Sequence, residues 1–178
     1  STITEGINQD SLNILVGNSS DPGNCHLEMF RALKEELAKK GLQNYNIVCP
    51  LSYGSDDHAE KVIKKGELLF GSNFMPLTNF LPLDEYQKML SSLDIALFNH
   101  RRQQAMGNII NLIGLGKKVF IRKEVTTWDY FEQLNIKVYC TSELELERED
   151  IANKNSEIVK AYFSKEKLQS DLKQVFTA

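Results

Sequence analysis

Hydrophobic residues along this chain fall into short runs, separated by longer stretches where they recur every three or four positions. The first run, Asn13 to Val16, stops at Gly17 and reads as a buried strand. A polar turn follows through Asn24. Leu27, Phe30, Leu33 and Leu37 then recur at helical spacing, with Asn24 predicted as the N-cap and Gly41 as the stop. Asn46 to Cys49 predicts a second strand, closed by Pro50. Ser55 is placed to cap a helix carrying Ala59, Val62 and Ile63, which Gly66 is expected to end. Glu67 to Phe70 then reads as a third strand and Met75 to Leu77 as a short fourth.

The second half repeats this alternation. Tyr86, Met89, Leu90 and Leu93 fit a helix, and Asp94 to Phe98 a strand. After the polar loop Asn99 to Gln104, the run Gly107 to Leu115 is apolar on nearly every side, as in a helix buried in a core. Gly116 terminates it, and Val119 to Ile121 is another strand. Trp128, Phe131 and Leu134 predict a helix, and Ile136 to Tyr139 a last strand. Beyond Ser142 the chain turns polar and helical, with stripes at Ile158, Ala161 and Tyr162, then at Leu168, Leu172 and Val175.

Alternating strands and single-helix crossovers imply an α/β fold, a Rossmann-like doubly wound parallel sheet with C-terminal helices. The expected division is a polar linker over 1–11, the sheet domain over 12–141, and helices packing on that domain over 142–178. Ligands in such sheets bind outside the carboxyl ends of the strands, where strand order reverses. The loops after Val16, Cys49, Phe98 and Ile121 are therefore the places to look for function.

Composition narrows the classes. At 178 residues, 42% hydrophobic and 25% charged, the chain suits one globular domain and excludes disorder and coiled coil. A net charge of −3 supplies no global field for nucleic acid. Cys25, Cys49 and Cys140 form no C-x-x-C pair, which points away from a zinc knuckle and a disulfide framework and toward a reducing cytoplasm. No apolar run approaches the ~20 residues that cross a bilayer.

Three loops carry candidate chemistry. The turn from Gly17 through Asn18 and Ser19 to Asn24 lacks the dinucleotide and P-loop glycine patterns. It still offers glycines, short polar side chains and a helix N-terminus, which suit an anion or a sugar hydroxyl; the same residues also make an ordinary turn. The second is Asn99-His100-Arg101-Arg102-Gln103-Gln104-Ala105-Met106-Gly107-Asn108. Its arginine forks match phosphate oxygens, and Gly107 lets a phosphate approach the backbone. Read blandly, it is a solvated loop. The third is Tyr53-Gly54, an aromatic able to stack on a base or simply to cover the sheet edge. His26 and His58 read as surface or capping residues, Trp128 as core, and Asp56-Asp57 as first-turn acids. No metal constellation is visible.

The turn ILVGNSSDPGNCHLEMFRAL (Ile14 to Leu33) and the block LDIALFNHRRQQAMGNIINLIGLGKKVFI (Leu93 to Ile121) resemble the TDP-N-acetylfucosamine:lipid II N-acetylfucosaminyltransferases. The LTNFLPLDEYQKML segment (Leu77 to Leu90) fits between them. Those enzymes work in enterobacterial common antigen synthesis and are GT-B glycosyltransferases, with two facing Rossmann-like domains. The resemblance implies that this chain is the C-terminal, donor-binding half. It further implies a TDP-linked amino-sugar donor, a lipid-linked saccharide acceptor met through the other half, and an acceptor-activating base on that half. The fragment alone would then be inactive. No metal or other cofactor is expected, and the site would lie in the cytoplasm, peripheral to the inner face of the membrane.

The donor-binding residues so implied are Gly17, Asn18, Ser19, Tyr53, Gly54, Arg101, Arg102, Gln103, Gln104, Gly107, Asn108 and Asn111. Many such domains carry two glutamates with seven residues between them, and this sequence has Gln103 and Asn111 instead. Amides still bond a sugar hydroxyl, without charge. A deoxyribose donor lacks one hydroxyl and needs one strong acceptor fewer. The rival class is a non-catalytic doubly wound module that binds an anion or a partner. A receiver domain would need clustered acids after its first strand, a dehydrogenase its glycine fingerprint, and an epimerase-like enzyme a catalytic group for which His58 is the one weak candidate.

Overall fold

The computed structural model describes residue 7, residues 10–148 and residues 152–164. Six strands form one sheet: β1 (Leu12–Val16), β2 (Tyr45–Pro50), β3 (Phe74–Leu77), β4 (Ile95–Phe98), β5 (Lys118–Ile121) and β6 (Tyr139–Cys140). Every pairing is parallel and the order is β3-β2-β1-β4-β5-β6. Five helices are interleaved: α1 (His26–Lys39), α2 (Asp56–Phe70), α3 (Leu83–Ser91), α4 (Met106–Gly114) and α5 (Thr126–Gln133). A sixth, α6 (Ala152–Phe163), follows the sheet.

The central strands are apolar throughout because both faces are covered. Ile14 pairs in register with Ile47 on one side and Ile95 on the other. On one face Ile14, Val16 and Leu97 meet Phe30 and Leu33 of α1 and Val62 of α2. On the other, Leu15, Ala96 and Phe98 meet Leu90 of α3, Ile113 of α4 and Phe131 of α5. Each such side chain contributes about 1.5–3 kcal/mol by leaving water. The winding direction reverses between β1 and β4, so a crevice opens at their carboxyl ends.

Three local expectations are corrected. The Glu67 to Phe70 stretch is helix, because α2 runs straight through Gly66. A Cβ at Gly66 would overlap the Phe74 ring, so the missing side chain lets β3 pack against the helix. Phe70 then meets Phe30 edge-on at 5.4 Å. The last strand begins only at Tyr139, because Asn155 of α6 takes both backbone groups of Lys137, at 2.9 Å and 2.8 Å. Among the described side chains of α6 the buried ones are Asn155 and Val159, while Tyr162 is exposed, so the inward stripe is offset from the expected one. Val159 packs against Gly114 of α4. The stripe at Leu168, Leu172 and Val175 lies outside the described residues. Ser55 caps α2 as expected, its hydroxyl accepting from the His58 N–H.

Candidate functional site

The β1–α1 turn is held by its own side chains. Gly17 sits at φ +71°, and a Cβ there would stand 2.6 Å from His26 Nε2 and 2.8 Å from Asn24 Oδ1. Asn24 is not the N-cap of α1. Cys25 takes that position at φ +52° with no side-chain cap, and the Asn24 amide turns inward. Its Oδ1 accepts from the Asn18 N–H at 2.9 Å and from His100 Nε2 at 2.9 Å; its Nδ2 donates to Ser19 Oγ and to the Asp21 carbonyl. One buried amide therefore ties the loop after β1 to the loop after β4. A carbonyl oxygen only accepts, so His100 carries its proton on Nε2.

All three histidines gather here; His26 is buried and no surface residue, while His58 stays partly exposed at the start of α2. His26 and His100 are buried, and His26 Nδ1 lies 3.3 Å from His58 Nε2. Burial holds His26 down at about 3, helped by the nearby His58 and His100, and holds His100 down at about 4. His58 is lowered as well, chiefly by burial. The cluster is neutral at pH 7. Sequence reasoning missed it because two histidines at helix starts and one in a loop carry no pattern until the fold brings them together.

The crevice wall is built from the expected loops with some changes of role. Asn18 Nδ2 donates to the Tyr53 hydroxyl at 2.8 Å, while its Oδ1 is buried and without a partner. Ser19 is buried, its Oγ spent on Asn24 and the Asp21 N–H. Gly54, at φ +120°, lies so close to Ser20 that a Cβ would stand 2.7 Å from its Oγ. Asp21 Oδ2 accepts from Arg102 Nη2 at 3.1 Å, which bridges the two loops. Arg101 lies 3.8 Å from Glu28, and both guanidinium groups remain largely exposed.

At the N-terminus of α4, Ala105 adopts φ +55° and offers no side-chain cap. The first-turn N–H groups are thus left for a ligand. Nothing stands within 4 Å of a Cβ built on Gly107, so the approach to that backbone is open. The Gln104 Oε1 is another buried acceptor without a donor. Asn108 faces a cavity of about 280 Å³ with Asn18, Tyr53 and Tyr86, walled by Pro50, Leu77 and Leu81. Tyr86 lines the same cavity as Asn108, and burial pushes its pKa up, so it keeps its proton. Tyr53 and Phe80 lie parallel at the mouth, 6.2 Å between centroids and both exposed. Tyr86 and Phe80 were not legible as site residues, since each also fits an ordinary helix or loop pattern.

Two candidates lie apart. Gln103 borders a different groove with Met106, Thr126 and Tyr130. Asn111, a turn further along α4, donates to Gln87 of α3 at 3.3 Å. Among the described residues, no group of three or more His, Cys, Asp or Glu is placed to hold a metal ion, and no helix is long and apolar enough to cross a membrane.

The parallel six-stranded sheet, with its crevice at the β1/β4 reversal, has the Rossmann-like fold seen in the halves of GT-B glycosyltransferases. Solved structures share this fold. The C-terminal domain of the group 1 glycosyl transferase LpcC from Francisella tularensis is 12% identical; the chain covers 86% of it with 85% of itself, at a TM-score of 0.61. The E. coli trehalose-6-phosphate structure bound with UDP-2-fluoro glucose is 12% identical, with coverage of 97% of this chain and 46% of that one and a TM-score of 0.65. WaaG, a glycosyltransferase involved in lipopolysaccharide biosynthesis, is 16% identical, with coverage of 90% and 45% and a TM-score of 0.60. The chain spans less than half the length of the last two. It belongs to the 4-alpha-L-fucosyltransferase family, glycosyl transferase group 56, whose sequence model matches residues 2–169.

Proposed function

We propose that this chain is the donor-binding half of a glycosyltransferase that moves a TDP-linked amino sugar, such as TDP-N-acetylfucosamine, onto a lipid-linked saccharide. One observation carries the reading. The open N-terminus of α4, the arginine-bearing loop that leads into it, and a small aromatic-walled cavity that Asn108 lines stand at the carboxyl ends of the strands. The diphosphate would lie at the first turn of α4, where free N–H groups and the helix dipole favour negative charge. Gly107 permits that approach. Arg101 and Arg102 would add charge as the leaving group departs, exchanging part of their contact with Glu28 and Asp21 for phosphate oxygens.

The base would enter the cavity between Tyr53, Tyr86 and Asn108, with its apolar edge toward Leu77 and Leu81. The unpartnered acceptors, Asn18 Oδ1 and Gln104 Oε1, suit donors on the base or sugar, since a buried acceptor without a donor costs ~1–3 kcal/mol. Charge neutralisation by protein groups alone makes the chemistry metal-independent. The acceptor and its activating base belong to the other half of the enzyme, at the inner face of the membrane. Calorimetric titration with TDP, UDP and NAD tests the reading. Saturable TDP binding tighter than UDP, with no response to NAD, is expected; equal response to all three, or NAD alone, would overturn it.

A further inference from the structure

A second groove lies at the same strand-end edge but on the far side of β4, between α1 and the segment Cys140 to Glu145. Its two hollows, about 480 Å³ and about 500 Å³, share Glu36, Lys39, Cys140, Glu143 and Leu144. The segment is held down from beneath. Lys118, buried in β5, donates to the carbonyls of Glu145 and Glu147 at 2.9 Å and 3.3 Å, with its ammonium 4.7 Å from the Tyr139 ring centroid. The groove is therefore a fixed feature of the fold.

Each hollow is lined by one residue whose buried donor has no hydrogen-bond partner. In the first it is Asn99 Nδ2, on a side chain only 3% exposed. Its amide is locked in place, because Oδ1 accepts from Thr141 Oγ1 at 2.9 Å and the Asn99 carbonyl accepts from Arg122 Nε at 2.9 Å. In the second hollow it is the indole Nε1 of Trp128. Unpaired buried donors of this kind mark places where a ligand acceptor is missing. Around them the two hollows carry six glutamates against four basic side chains, an excess of acceptors that repels an anion.

We infer that this groove binds a neutral oligosaccharide. Sugar hydroxyls both donate and accept, so they satisfy carboxylates and orphan N–H groups together. The C–H face of a pyranose also packs against an aromatic ring such as Trp128. A phosphate or a nucleotide fits neither the charge nor the donor set. The inference is separate from the donor crevice and stands whether or not TDP binds there.

Trp128 is the only tryptophan in the chain, so intrinsic fluorescence reports on the groove directly. The probes are N,N′-diacetylchitobiose and maltotriose. Ala32→Phe and Ser142→Phe narrow the groove from opposite walls, and circular dichroism identifies which of them fold. The expected result is a saturable emission change with at least one probe, weakened about tenfold or more in each folded narrowed variant. TDP binding, measured calorimetrically on the same proteins, stays as in the wild type. No saturable change with either probe, or a change that survives narrowing, would overturn the inference.

Discussion

Acid should loosen the turn that builds the donor crevice well before the carboxylates titrate. His26 and His100 are held neutral in the folded chain, at about 3 and about 4, against 6.5 when free. Lowered histidine values mean that the unfolded chain binds protons the folded chain does not. Their stabilising contribution is complete above pH 6.5 and shrinks as pH falls toward the folded values. Between pH 7 and pH 5 each histidine gives up roughly 2 kcal/mol, so the pair costs on the order of 4 kcal/mol. That is a large share of the ~5–15 kcal/mol that ordinary domains possess. His58 shifts in the same direction and adds to the loss. Urea unfolding at the two pH values, followed by circular dichroism, measures the difference through the midpoint. Replacing His100 with Gln should remove about half of the pH slope while lowering stability at pH 7, because the Asn24 carbonyl loses one of its two donors. A midpoint that stays constant from pH 7 to pH 5 would refute the reasoning, as would an unchanged slope in the His100→Gln protein.

Other consequences of the geometry are open to direct measurement. Gly17→Ala forces a side chain into φ +71° and against His26 and Asn24; it should cost about 2 kcal/mol or more in urea unfolding and abolish TDP binding. Tyr86→Phe removes a cavity-lining hydroxyl beside Asn108 while keeping the ring, so TDP affinity should fall about tenfold with little change in stability. If the arginines and the α4 N-terminus neutralise the leaving group, the enzyme containing this half should keep its transfer rate in excess EDTA, read by donor consumption. A rate abolished by EDTA and restored by magnesium would remove that role from them.

Much of the fold was legible because the strands are short, apolar and punctuated by Gly, Pro or Asn, and because most helices carry one apolar stripe. Gly66 misled for a physical reason: a glycine that ends a helix and one that admits a neighbouring ring look alike in sequence. Asn24 has the composition of a cap, yet its amide is spent across the sheet on His100, seventy-six positions away. Non-local partners of this kind leave no mark on local periodicity. The same limit explains the site. Gly17, Asn18 and Arg102 sit on loops, and Gly107 at a helix start, whose positions follow from α/β topology alone. Tyr86 and Phe80 reach the cavity only through the packing of α3 and the loop before it. The neutral histidine cluster joins residues from three separate segments, and no spacing rule connects them.

The central claim is that donor binding occurs at the β1/β4 reversal. Nitrogen–proton correlation spectra of the labelled chain, recorded through a TDP titration, test it residue by residue. The account predicts saturable shifts concentrated at Asn18, Tyr53, Arg102, Gly107 and Asn108, with Lys39 and Ser142 unmoved. Shifts confined to other faces of the sheet, with the amides of Gly107 and Asn108 unchanged at saturation, would contradict it.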